Sequence, residues 1–176
     1  MSNELHELLR TVGFAARAHD GQKRKDGKTP YVSHVVRVAL ILRECFGVSD
    51  PNILQTALLH DAIEDTTTDY DDIAREFSPT VASWVAALTK DKRLRDDVRE
   101  EDYLAALRAA PWQVHLCKLA DIYDNLLDSE HLDPPRRASN LKHVRFHLEG
   151  LADIEHPEVR RCRRIVDQFL RARNEP

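Results

Sequence analysis

The nine residues LLHDAIEDT, at positions 58–66, restrict the fold more than any other stretch of the chain. His60, Asp61, Glu64 and Asp65 stand among Ala57, Leu58, Leu59, Ala62 and Ile63. Ionisable groups bedded in apolar positions are costly unless they are paired or bound to a cation. On a helix, positions i and i+4 share a face, so the spacing predicts one helical face carrying an imidazole and three carboxylates. Any fold that buries this run must bring polar partners to it from elsewhere in the chain.

The rest of the chain offers helices to do so. Leu5, Leu8, Leu9, Val12, Ala15 and Ala16 recur by threes and fours and predict a first helix to about His19. The polar, turn-rich segment GQKRKDGKTP follows and reads as a binding loop; a second helix is expected over Tyr31 to Phe46. Asp50-Pro51 and Ser78-Pro79 are cap-then-proline helix starts, and Thr68 or Asp69 can cap a short helix through Phe77. The charged stretch KDKRLRDDVREED reads as a surface loop. Further helices are expected from about Arg99 to Ala109, after Pro111 through Leu127, from Ala138 to Ile154 and from Pro157 to Arg173. No period-two alternation interrupts the pattern, and only five glycines occur. The expectation is an all-α, single-domain orthogonal bundle spanning 1–176, since 176 residues suffice for one sizeable core.

Charge and cysteine usage narrow the classes of function. A formal charge of −4 gives no general attraction to DNA or RNA, so an anionic substrate needs a local basic pocket or a cation. Cys45, Cys117 and Cys162 form no CxxC pair, which speaks against a disulfide framework or a thiolate zinc site and fits a cytoplasmic protein. The amphipathic start lacks the features of a secretory leader, and no apolar run has the length of a membrane span. Exposed and buried apolar faces look alike at this level, which leaves a homo-oligomer open.

Two further polar residues lie amid helical patterns: His34 after PYVS, and Asp121 within CKLADIYDNL. If these helices converge on His60 and Asp61, two imidazoles and two carboxylates meet around one divalent cation. Nitrogen and oxygen ligands without thiolate suit manganese, iron or another borderline ion, zinc included. Four protein ligands on an octahedral ion leave room for water and a substrate oxygen.

In order along the chain, GQKRKDGKTPYVSH, LLHDAIEDT, LTKDK and KLADIYDNL resemble the HD-domain hydrolases of the RelA/SpoT class, most closely the stand-alone Mesh-type alarmone hydrolases. The resemblance runs from about Phe14 to Leu127 and implies an HD-type bundle. It implies His34, His60, Asp61 and Asp121 as ligands of Mn2+ or another divalent metal, with Glu64 and Asp65 serving the attacking water. The substrate it implies is guanosine tetra- or pentaphosphate, (p)ppGpp, cleaved at the 3′ phosphorus to GDP or GTP and pyrophosphate. Arg24 and Lys25 match the RK pair beside the family's nucleotide pocket, and Asn125 matches the asparagine of its D-x-x-x-N-L pattern. Tyr31 borders the pocket, and Lys90 with Lys92 approach the outer diphosphate.

The chain departs from that pattern at Val35, where Pro is common, and at Ile122, where Arg or Lys is common. Acids in DDVREED also stand where relatives place more basic residues, and Phe146 falls near a family tyrosine. These changes spare the metal residues and leave two other readings open. One is an HD-domain hydrolase of another nucleotide, an adenine alarmone or NADPH; the other is a non-catalytic nucleotide sensor. His19 reads as a buried, hydrogen-bonded histidine. His115, His131, His143, His147 and His156 lack clustered spacing and read as surface or packing residues, and Trp84 and Trp112 as core fillers.

Overall fold

A computed structural model describes residues 3–172; the predicted end of the last helix at Arg173 lies outside them. Among the described residues the chain is all-α, with a lone bridge between Lys23 and Pro30 as its only β pairing. The helices are α1 (Asn3–Ala18), α2 (Val32–Leu40), α3 (Pro51–Leu59), α4 (Ala62–Asp65), α5 (Tyr70–Glu76) and α6 (Pro79–Leu88). They continue with α7 (Asp96–Ala109), α8 (Trp112–Asp128), α9 (Pro134–Gly150) and α10 (Pro157–Ala172). No helix here is long and apolar enough to cross a membrane.

Local chemistry sets most of these boundaries. Asp50 accepts from the backbone N–H groups of Asn52 and Ile53, opening α3 at Pro51, and Ser78 caps α6 through Val81 N–H. Of the two expected caps for α5, Asp69 makes the bond, in a reciprocal box with Asp72. Helix α2 runs on through one π turn, Ile41–Cys45, and Gly47, at φ +67°, then lets Val48 N–H return to the Leu42 carbonyl.

Three expectations are corrected. The run 58–66 is not one helix: α3 stops at Leu59, His60 and Asp61 form a turn, and α4 adds a single short helix. Asp61 sits at φ −100°, ψ 0°, so its carboxylate is directed by a backbone break and not by the i to i+4 rule. The charged loop ends early, because α7 begins at Asp96. Its first turns are polar and rich in acids, which suit a helix N-terminus but leave no apolar stripe, and helical period becomes visible only at the buried Tyr103, Leu104 and Leu107. Helix α9 starts at Pro134, capped by Asp133, and ends at Gly150, not Ile154.

The apolar interior falls into two clusters, one under α1, α5 and α6, the other around α8 and α10. Helices α2 and α3 contribute to both: Val35 and Leu59 to the first, Val38 and Ala57 to the second. Helix α8 packs against α2, α3, α9 and α10, so its inward face is buried nearly throughout. Trp84 and Trp112, expected to fill the core, are only partly buried and pack at the margin of the larger cluster, Trp112 stacked on His156. At the other end, α7 and α9 approach closely where Gly150 meets Leu104, and Arg108 Nε donates to the Gly150 carbonyl at 2.9 Å.

Candidate metal centre

The polar residues of α2, the α3–α4 turn and α8 meet at the floor of a cavity of about 410 Å³, within the size range of small-molecule sites. His34 Nε2 lies 3.5 Å from Asp61 Oδ2 and 3.3 Å from Asp121 Oδ1. His60 Nε2 lies 3.0 Å from Asp61 and 3.9 Å from Asp121. Both imidazoles present Nε2 because the other nitrogen is engaged. His60 Nδ1–H donates to the Ala57 carbonyl at 2.8 Å, and His34 Nδ1–H donates to Asp124 at 2.6 Å. That is the arrangement that fixes tautomer and ring orientation in metal-binding histidines.

Electrostatically the four groups are tied together. Burial by itself favours a neutral Asp121, but Lys118 and the two imidazoles hold it well below the ordinary carboxylate range. Asp61 is likewise held low, against burial, by His60 and His34. Burial opposes charge on His34, yet the carboxylates of Asp121, Asp124 and Asp61 raise it to about 10; His60 is raised too, against burial, chiefly by Asp61. One ligand atom each from His34, His60 and Asp121 lies within 4.8 Å of the other two, a donor set that fits a divalent cation, and Asp61 stands beside it. His60 Nε2 is buried without a hydrogen-bond partner, and a cation would take its lone pair while neutralising the same carboxylates, releasing protons as it bound.

Around this floor stand the other predicted residues. Tyr31 donates its hydroxyl to Asp61 Oδ2 at 2.7 Å, and burial with the Asp61 charge keeps it protonated. Glu64 Oε2 accepts the Lys90 backbone N–H at 2.9 Å; burial, aided by the charges of Asp61 and Asp65, pushes its pKa up. Asp65 is more open and pairs with Lys92. Lys90 Nζ is drawn to Glu100, at 2.7 and 3.0 Å. Asn125 bridges, donating to Asp121 at 2.6 Å and accepting from Arg24 at 3.1 Å. Arg24 is itself buried, donates to Asp128 and stands 5.5 Å from the Tyr31 ring centre. Lys25 donates to Asn140 at 3.1 Å and is lowered by burial and by Arg24. The basic loop carrying both is shaped by Asp26, which accepts from the N–H groups of Lys28 and Thr29.

Several residues were missed. Asp124 is fully buried and accepts from both Nε and a terminal nitrogen of Arg37, at 2.6 and 2.9 Å, while accepting from His34. Lys118, also buried, donates to Asp121 at 2.9 Å. A signal was present: Lys118, Asp121, Asn125 and Asp128 recur by threes and fours along an otherwise apolar helix, with Asp124 beside them. His19 is buried and meets Gln22 at 2.8 Å, as read. His143 and His147 are not separate packing residues, because their Nε2 atoms meet at 3.0 Å on the cavity wall.

Comparison with known proteins identifies the family of the chain. The pattern of the HD domain family matches residues 11–146. The Danio rerio guanosine-3′,5′-bis(diphosphate) 3′-pyrophosphohydrolase MESH1 is 40% identical over 128 residues, covering 72% of this chain and 71% of its own. The Homo sapiens protein of the same name is 38% identical over 135 residues, covering 76% and 75%. A solved structure, described as a metazoan ortholog of SpoT that hydrolyzes ppGpp and plays a role in starvation responses, superposes with a TM-score of 0.82 at 28% identity. That superposition covers 99% of this chain and 97% of the other.

Proposed function

This chain belongs to the HD domain family, and from that premise we propose that it is a metal-dependent hydrolase that removes the 3′-pyrophosphate of (p)ppGpp. The products are GDP or GTP and pyrophosphate. The observation that carries the reading is the meeting of two imidazole Nε2 atoms and two carboxylates beside Glu64 and Asp65, in a cavity walled by basic residues. We assign 1–176 to one such domain.

His34, His60, Asp61 and Asp121 would hold the ion, for which the nitrogen–oxygen set favours Mn2+. When bound, it supplies Lewis acidity toward water and a phosphoryl oxygen. The chain's own residues do the rest. Glu64, with its raised carboxyl, takes the proton of the attacking water, and Asp65 orients that water. Tyr31 and Lys118 fix Asp61 and Asp121 by their hydrogen bonds. Arg24 and Asn125 present a preset polar edge to the nucleotide, while Lys25 and Lys90 reach its phosphates by exchanging their present partners, Asn140 and Glu100.

The test is turnover. Purified protein with Mn2+ and ppGpp should yield GDP and pyrophosphate in equal amounts, in preference to an adenine alarmone or NADPH. Absence of product from ppGpp across divalent metals, with metal occupancy verified, refutes the reading.

A further inference from the structure

A second set of ligand-type side chains meets at the wall of the same cavity, which His143 and His147 line and Glu100 approaches behind Lys90. His143 and His147 lie one turn apart on α9, with ring centres 4.4 Å apart and Nε2 atoms 3.0 Å apart. Glu100 approaches from α7, and one ligand atom from each of the three lies within 4.8 Å of the other two. Two histidines at i and i+4 on a helix form the chelating spacing with which helices grip zinc-type ions. At metal–nitrogen bonds of about 2.0–2.1 Å, nitrogens this far apart subtend roughly 90–100° at a shared ion, an angle open coordination shells accept.

His147 is 1% exposed and packs edge-on against Tyr103 and Phe146; among the described residues its Nε2 meets His143, and its Nδ1 has no hydrogen-bond partner. Burial, with the nearby charge of Lys118, pushes His147 down to about 2, and burial with Lys90 and Lys118 lowers His143. Both rings are therefore neutral, the form that donates a lone pair to a metal. Of the three ammonium groups nearby, Lys118 is engaged by Asp121, Lys25 by Asn140 and Lys90 by Glu100. Only Lys90 stands in the way of a cation, and it can be displaced, since its tether to the first centre is its backbone N–H on Glu64 and not its side chain.

We propose that Glu100, His143 and His147 form a second divalent-cation site, of the imidazole-preferring zinc class, whose filling takes Glu100 from Lys90 and turns the Lys90 ammonium into the cavity. The site is separate from the His34–His60–Asp61–Asp121 centre and shares the cavity with it. It is independent of which nucleotide is cleaved.

Counting metal tests it without turnover. Full-length protein is stripped with chelator, saturated with Zn2+ or Co2+, freed of loose ions and analysed for metal per chain. The expected count is roughly two for the wild type and roughly one for His143→Ala. His143 is exposed, so this variant should keep the wild-type helical circular dichroism. With Co2+, the difference in visible absorption between wild type and His143→Ala should give one ligand-field spectrum, and Asp61→Ala should retain that spectrum. A count of one for the wild type at saturation, or an unchanged count of two in His143→Ala, overturns the proposal. Glu100→Gln should lose the same ion, which guards against an indirect effect of α9.

Discussion

Two clusters with metal-binding chemistry face one cavity, and they are built differently. Around His34, His60, Asp61 and Asp121, almost every remaining hydrogen-bonding atom is taken by a second ring of residues: Asp124, Arg37, Tyr31, Lys118 and Asn125. Around Glu100, His143 and His147 the described residues form no such ring; a lysine occupies the carboxylate and the His147 Nδ1 is left without a partner. The first cluster is preorganised, whereas the second must rearrange to bind. Supported ligands lose little freedom when an ion arrives, so the difference should be visible as affinity and as sensitivity to mutation.

The largest effect should come from the floor itself. Asp61→Ala removes a carboxylate that both imidazoles face, and metal at the first centre and turnover should disappear together. Elemental analysis and product formation measure the two losses. Retained turnover in this variant would erase the contrast between the clusters.

Glu64→Gln should separate chemistry from binding. Metal should remain while the turnover number falls by about 10²–10⁴, the usual contribution of a general base. The wild-type pH profile carries the sign. Burial and the neighbouring acids raise the Glu64 carboxyl, so it loses its proton above the ordinary carboxylate range. Turnover should therefore rise with pH through that raised value, at saturating metal, and the acid limb should vanish in Glu64→Gln.

Asp124→Asn tests the support ring. The amide still reaches His34 but can no longer accept as an anion from both His34 and Arg37, and metal affinity should fall about 10–100-fold with the fold intact. Equilibrium competition with a chelator measures it. An equally large fall for Arg37→Gln would show that Asp124 depends on its guanidinium partner.

The clusters also differ in how far the sequence revealed them. The four floor residues and Glu64 stood out because charge in an apolar helical run demands an explanation, and the ordered motifs supplied one. Of their support ring, Tyr31 and Asn125 came with those motifs, but Asp124 and Arg37 look like ordinary surface charges until α2 and α8 are brought together. His143 and His147 have helical spacing, but α9 has too weak an apolar stripe for its inward face to be read, and Glu100 lies in a segment whose charges masked a helix. The turn at His60 and Asp61 is hidden for a related reason: no Gly or Pro marks it in the sequence.

Stability offers the smallest and sharpest contrast. His143 is exposed and its ring nitrogen meets only His147, so His143→Ala should change metal-free unfolding free energy by about 0.5 kcal/mol or less. Asp124→Ala, by contrast, strips the buried partner of His34 and Arg37 and should cost several times that, on the order of 3 kcal/mol. Chemical denaturation of the metal-free variants measures both. Added Zn2+ should then stabilise the wild type more than His143→Ala, because an ion that binds only the folded chain contributes through its own affinity. Equal stabilisation of the two proteins would mean that the α9 pair gains nothing from the ion, leaving one cluster, not two, with a claim on metal.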